Sequence, residues 1–270
     1  MSNENEISEN RMSIWEHLGE LLSRLKIILF SVLLSGLLIG FFPTNLEEIL
    51  TSFDFHSPTI LNYTPFISII MARMKSDLLP SGAELIAGNL MDTAYIYLIL
   101  SFMVGIVVCS PLIAYELYAF FNPALLESER KTLGTYIFIF IVLFVFGVVL
   151  GYTMILPLTF RIIMWFVFTA GALPYINIKD FFMMIITLII GSGLLYTAPI
   201  FLVLLAQKGI ITSKNLTENR KMIYVGFLVV IAVITPDPTI ITDLIIMVPF
   251  IVVFEMAILF SKRVEKKNRK

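Results

Sequence analysis

The chain has 270 residues, 58% of them apolar and 14% charged, with a net charge of −1 and a single cysteine. Soluble domains carry roughly a quarter of their residues as charges, so this composition excludes a water-soluble globular fold and points to a protein built into a membrane. One thiol also excludes an internal disulfide; Cys109, inside an apolar run, reads as buried filler.

Met1 to Asn10 is acidic and lacks a basic n-region. No small-residue cleavage site follows the first apolar run, so no cleavable signal is expected and that run stays as an anchor. Ser13-Ile14-Trp15-Glu16 has the form of a capping box, which predicts a helix from Ile14. At 100° per residue His17, Glu20 and Arg24 share one face of it, while Leu18, Leu21, Leu22 and Leu25 form the other.

The first apolar run spans Leu25 to Phe42. Residues 43–93 form a long loop, and loops of that size usually have structure of their own. Within it Thr64-Pro65 reads as an N-cap followed by proline at the first helical position. The helix predicted after it covers Phe66 to Leu79, with Ile67, Ile70, Met71 and Met74 on its apolar side and Pro80-Ser81-Gly82 ending it.

Further apolar runs cover Ala94–Phe121, Leu133–Phe168 and Phe181–Ala206, each at or above the roughly 20 residues that cross a bilayer. Met222–Ile234 offers 13 residues, about 20 Å of helix against a hydrocarbon core of about 30 Å. Thr235-Pro236-Asp237-Pro238 follows as a tight turn, because neither proline continues a helix. The sixth run, Ile240–Phe260, contains Asp243, Pro249 and Glu255, so the last two crossings are expected to be short and to form a hairpin that thins the bilayer or docks on its neighbours. The expectation is an all-α integral membrane protein with six transmembrane helices, the fifth and sixth short.

Of the 19 Lys and Arg, 15 fall in the N-terminal segment, the second-to-third and fourth-to-fifth connections and the tail 262–270, leaving Arg73, Lys75, Arg161 and Lys179 for the other side. By the positive-inside rule both termini are cytoplasmic, residues 1–24 form a cytoplasmic helix, 43–93 an outer cap, and 262–270 a basic tail at the anionic inner leaflet. Glu20 and Glu129 flank the first and third runs on this positively charged side. An acid held there does not help a chain cross a bilayer and is suited to receive a basic ligand. A plainer reading pairs Glu20 with Arg24 one turn on and sets Glu129 at the positive N-terminus of the third helix, each contributing about a few tenths of a kcal/mol. His17 and His56 lie on opposite sides and no further His or Cys cluster exists, so no metal is expected. The sequence also has no phosphate-binding Gly-x-x-x-x-Gly-Lys-Ser/Thr loop, so no enzyme activity, cofactor or nucleic-acid partner is expected.

His17-Leu18-Gly19-Glu20-Leu21 with Arg24-Leu25 resembles the N-terminal motif of the TatC family, the receptor subunits of the twin-arginine protein translocase. Ser110-Pro111, Ala119-Phe120-Phe121-Asn122-Pro123-Ala124-Leu125 and Glu129-Arg130-Lys131 are similar to that family's second-helix end and first cytoplasmic loop. Leu156-Pro157-Leu158-Thr159-Phe160, Gly209-Ile210-Ile211-Thr212, Ile234-Thr235-Pro236-Asp237-Pro238, Pro249 and Phe254-Glu255 extend the likeness in order along nearly the whole chain. The resemblance implies a single domain over 1–270: a concave, glove-like set of six helices in the cytoplasmic membrane. It would recognise the adjacent arginines of signal peptides on folded export proteins. It implies recognition by Glu20 and Glu129, a neighbouring surface shaped by Phe120 and Pro123, single-span partners of the TatA and TatB kind, possible self-association, and the proton-motive force as energy source. His17 and Arg24 belong to the same expected peptide-binding face.

Two positions depart from the family. Leu22 stands where an arginine is usual two residues after the glutamate, and Thr197, two residues before Pro199, stands where many members carry a glutamate. Thr197 either bonds a partner helix or its own backbone turn. Glu255 and Glu116, ionisable groups inside apolar runs, are candidate polar contacts for a partner helix, with Thr197 and Pro199 in the same group. The competing reading is a small secondary transporter or channel, which would place paired charges or broken helices at the membrane midplane; here the acids sit mainly near the surfaces.

Overall fold

The computed structural model describes residues 14–44, 63–121, 133–207, 211–235 and 240–268. In chain order these form α1 (Ile14–Phe41), α2 (Phe66–Leu78), β1 (Glu84–Ile86), α3 (Asp92–Val108), α4 (Ser110–Phe121), α5 (Leu133–Leu150), a π-helical turn (Gly151–Ile155), α6 (Leu156–Thr169), β2 (Tyr175–Asn177), α7 (Ile178–Gln207), α8 (Ser213–Glu218), α9 (Arg220–Ile234) and α10 (Ile240–Asn268). Four stretches are long and apolar enough to cross a membrane: Leu18–Phe41, Gly134–Thr169, Ile178–Ala206 and Ile240–Arg263. Counted as one broken span, the bent pair α3–α4 gives a fifth; with four or five such stretches the chain is a multi-pass membrane protein.

The expected runs are present, with three differences. The second run is two helices bent by 61°, because Pro111 lacks the N–H that would bond back across the joint. Cys109 sits at this bend with its thiol 3.3 Å from the Ser35 hydroxyl and 3.6 Å from the Ser31 carbonyl; it faces α1 at a joint and is not simple filler. The third run continues for 36 residues past Pro157, the wider π turn just before it absorbing the bond the proline cannot make.

The third difference is a correction. The sixth helix is not short: α10 has 29 residues and runs through Pro249. The polar groups that argued for a short hairpin arm are satisfied where they stand, Asp243 by Thr235 and Glu255 by Tyr224 and Arg220. The fifth, α9, has 15 residues and at about 22 Å is shorter than the roughly 30 Å hydrocarbon core.

The long helix α7 is the axis of the core and packs against α5, α3 and α10. Its contact with α5 depends on small residues: a methyl at Gly147 would lie 2.6 Å from the Ser192 carbonyl oxygen and 2.9 Å from the Gly193 Cα. The Ser192 hydroxyl lies 2.9 Å from the Gly147 carbonyl oxygen, across the same seam. In lipid, where burial of oil in oil drives nothing, such backbone approach is a main source of helix association. The α1–α3 contact is built alike, a methyl at Gly105 meeting Ser35 Oγ at 2.8 Å. Tyr196 ties α7 to α10 by donating to the Ile246 carbonyl at 2.9 Å.

At the far end from the N-terminus, α2 lies over the bundle and buries Ile67, Met71, Met74 and Leu78. Thr64 is not its N-cap; Pro65 holds that position, and the Thr64 hydroxyl instead meets that of Thr44 at 2.7 Å, beside an antiparallel bridge between Pro43 and Pro65. Gly82, at φ 84°, makes the left-handed turn that follows. β1 then pairs in parallel with β2, Leu85 opposite Ile176. Asp77 of α2 accepts from Tyr152 at 2.8 Å and from Arg73 at 3.0 Å, fixing this cap to the π turn.

Gly147→Leu should force α5 from α7 and lower the thermal unfolding temperature of the detergent-solubilised protein by several degrees, whereas Ser192→Ala should cost only about 1 kcal/mol. Equal stability of Gly147→Leu and the parent would show that this seam is not a close contact.

Candidate functional site

The start of α1, the end of α4, the start of α5 and the end of α10 share one end of the bundle. Arg24 reaches Glu116 across the first two, and Tyr136 meets the Phe260 ring edge-on at 6.5 Å across the last two. Arg24 is the centre of the polar structure there. Its Nε and Nη2 donate to one oxygen of Glu20, Oε1, at 3.0 and 2.6 Å, and its Nη1 donates to Glu116 Oε2 at 3.1 Å. The first contact follows from the four-residue spacing on α1. The second joins positions 92 apart in the chain and needs the 61° bend that carries α4 to α1.

Burial sharpens the arrangement. The Glu116 side chain is 8% exposed, those of Glu20 and Arg24 21% and 25%. A carboxylate so far from water is costly without a cation, and Arg24 supplies one. Glu20 Oε2 is buried and has no hydrogen-bond partner among the described residues. Two carboxylates and one guanidinium leave this cluster one negative charge in excess.

Of the expected peptide-binding residues, Glu20 and Arg24 are brought together. His17 lies on α1 three positions before Glu20, and Phe120 on α4 four positions after Glu116, hence on the face that carries it. Glu129 and Pro123 lie outside the described residues. Glu116 was named as a contact for a partner helix; its carboxylate is turned to Arg24. The available signal was that Glu116 is the sole charged residue between Ala94 and Phe121.

A second polar group joins α9 to α10. Glu255 Oε1 accepts from Tyr224 at 2.8 Å and lies 3.1 Å from Arg220 Nη1. At the opposite end of this helix pair, the Thr235 hydroxyl lies 2.8 Å from buried Asp243. Thr197 is 1% exposed and spends its hydroxyl on the Leu194 carbonyl at 2.7 Å, the second of its two expected roles; Pro199 is buried beside it in α7.

Residues 16–249 match the family described as "Sec-independent protein translocase protein (TatC)". The chain belongs to the TatC family. Among its relatives, TatCy of Bacillus subtilis (strain 168) is 31% identical over 261 residues, covering 97% of this chain and 93% of that protein. TatC of Aquifex aeolicus (strain VF5) is 27% identical over 259 residues, covering 96% and 98%. The fold is similar to a crystal structure of the twin-arginine translocase receptor TatC in DDM, with a TM-score of 0.73 at 26% identity, covering 91% of this chain and 99% of that one.

Within this TatC-family fold the α9–α10 pairing is open to a direct check. Tyr224→Phe should cost about 1 kcal/mol of unfolding free energy. Arg220→Gln should cost less than about 1 kcal/mol, since both partners of its ion pair are about a third exposed; the reverse order in thermal unfolding would assign the contact to Arg220.

Proposed function

We propose that this TatC-family protein is the receptor for twin-arginine signal peptides of folded precursor proteins and the subunit on which the translocation site assembles. The observation that carries the reading is at Glu20, whose carboxylate already binds a guanidinium through two N–H donors and retains a buried oxygen with no partner among the described residues. Arginine presents five donors in a planar fork, so an acid arranged for one guanidinium discriminates against the point charge of lysine. Glu129 is the second recognition acid, with His17, Arg24, Phe120 and Pro123 around the pair.

In this reading six helices cross the cytoplasmic membrane in a concave, glove-like arrangement with both termini in the cytoplasm. The concentration of 15 of 19 Lys and Arg on one side supports that orientation, and it puts Glu20 where an unexported signal peptide is presented. TatA- and TatB-like single-span subunits are the partners, with self-association a further mode. Of Thr197, Pro199 and Glu255, the first two are buried and Glu255 is 34% exposed, so Glu255 is the open contact for a partner helix. Transport is driven by the proton-motive force.

The test is a binding isotherm for a peptide with two adjacent arginines on the purified protein in detergent, beside its two-lysine counterpart. The arginine peptide should bind at least about tenfold more tightly. Glu20→Ala and Glu129→Ala should each weaken it by about tenfold or more, matching the roughly 1.5–3 kcal/mol of a hydrogen bond to a charged group. Equal binding of both peptides would end the receptor reading in favour of a transporter or scaffold.

A further inference from the structure

We propose that Arg24 is an internal stand-in for a ligand arginine, and that Glu116 is a third carboxylate of the arginine site. A diarginine segment then docks by displacing Arg24 from Glu20 and Glu116. The inference rests on the receptor reading above and says how that site is occupied before its ligand arrives.

Three observations on independent atoms support it. Arg24 puts both of its Glu20 contacts on the same oxygen, Oε1, where a matched guanidinium–carboxylate pair uses both oxygens. The other oxygen, Oε2, is buried without a partner among the described residues, so the acid is withdrawn from water yet only half engaged. Glu116, its side chain 92% buried, is held by the remaining arm of the same guanidinium at 3.1 Å. One fork is thus stretched between two acids that would each accept a full one. Lys26, the next cation along α1, is two residues further on and falls on the opposite face.

The physical consequence is a competition. Arg24 is tethered to the same helix as Glu20, so its effective concentration at the acids is high. The ligand's apparent affinity is lowered by the fraction of receptors in which Arg24 is in place. A single cation exchanges one guanidinium for another and gains little. Two adjacent arginines supply enough donors to satisfy Glu20 Oε2 and Glu116 together and to neutralise the excess negative charge. Lysine carries no fork and replaces Arg24 poorly at either acid. Because displacing Arg24 costs every ligand the same, the stand-in sets the affinity threshold, and the preference for arginine stays with the acids themselves.

Isotherms on the full chain in nanodiscs, for diarginine and dilysine peptides, test this with Arg24→Gln, Arg24→Lys and Glu116→Gln beside the parent. Arg24→Gln should tighten diarginine and dilysine binding alike, by about fivefold, because the stand-in lowers both by the same occupancy. Arg24→Lys should do the same to a smaller extent, and it answers the question if the glutamine variant does not fold. Glu116→Gln, which keeps the side-chain volume, should weaken diarginine binding about tenfold with the thermal unfolding temperature showing a folded protein. Weaker or unchanged binding on substitution of Arg24 would overturn the stand-in, and parent-like affinity in Glu116→Gln would remove the third acid. If the parent itself fails to separate the two peptides, the receptor reading fails. If it separates them and the Arg24 variants do not tighten, the stand-in alone fails.

Discussion

A carboxylate withdrawn from water must meet a donor, and the position of Glu116 is decided by that requirement. It lies on a helix otherwise free of charge, near the end of a crossing, with only 8% of its side chain exposed. In the low-dielectric surroundings of a bilayer an unpaired acid there would be neutralised or expelled. Arg24, one helix away, makes it tenable, and the contact ties the start of α1 to the end of α4. The bend at Cys109 and Pro111 brings α4 within reach. One ion pair and one proline thus fix how the first two crossings meet at the site.

The same requirement recurs at other joints and explains why charged residues in apolar helices do not break them. Asp243 begins α10 against the Thr235 hydroxyl, at a helix N-terminus where an acid is also favoured by the helix dipole. Asp77 joins α2 to the π turn through Tyr152. Between these polar joints the helices are held by close approach at glycine and serine, as at Gly147 and Ser192. The polar contacts decide which ends meet, and the small residues decide how near the helices come.

Hydropathy and proline placement made the helices legible in the sequence, because length and apolarity are properties of single segments. The cap helix beginning at Phe66 and the short α9 follow from local signals; Ser13 of the expected capping box lies outside the described residues. Pairings between segments were not legible. Nothing in the sequence joins Glu116 to Arg24 or Tyr224 to Glu255, since these contacts depend on the bend and crossing of helices. The length of α10 was misjudged for the same reason: Asp243, Pro249 and Glu255 look like interruptions until their partners are known. Glu20 was legible as an acid at the right edge with Arg24 one turn away; that its Oε2 is buried without a partner among the described residues was not.

The two departures from the family pattern differ in weight. Leu22 lies two residues after Glu20, about 200° around α1, and is 57% exposed. An arginine at this position would project away from Glu20, so its loss changes the outer face of α1 and leaves the Glu20–Arg24–Glu116 cluster intact. Thr197 is different. It is 1% exposed inside α7, and its hydroxyl is satisfied by the Leu194 carbonyl one turn back. An ionised glutamate has no proton to donate to that carbonyl, and at this depth it would need a donor from a neighbouring helix or partner. Threonine removes that need. The helix at Thr197 is therefore self-sufficient, and the glutamates that arginines from a neighbouring helix reach, Glu116 and Glu255, lie on α4 and α10.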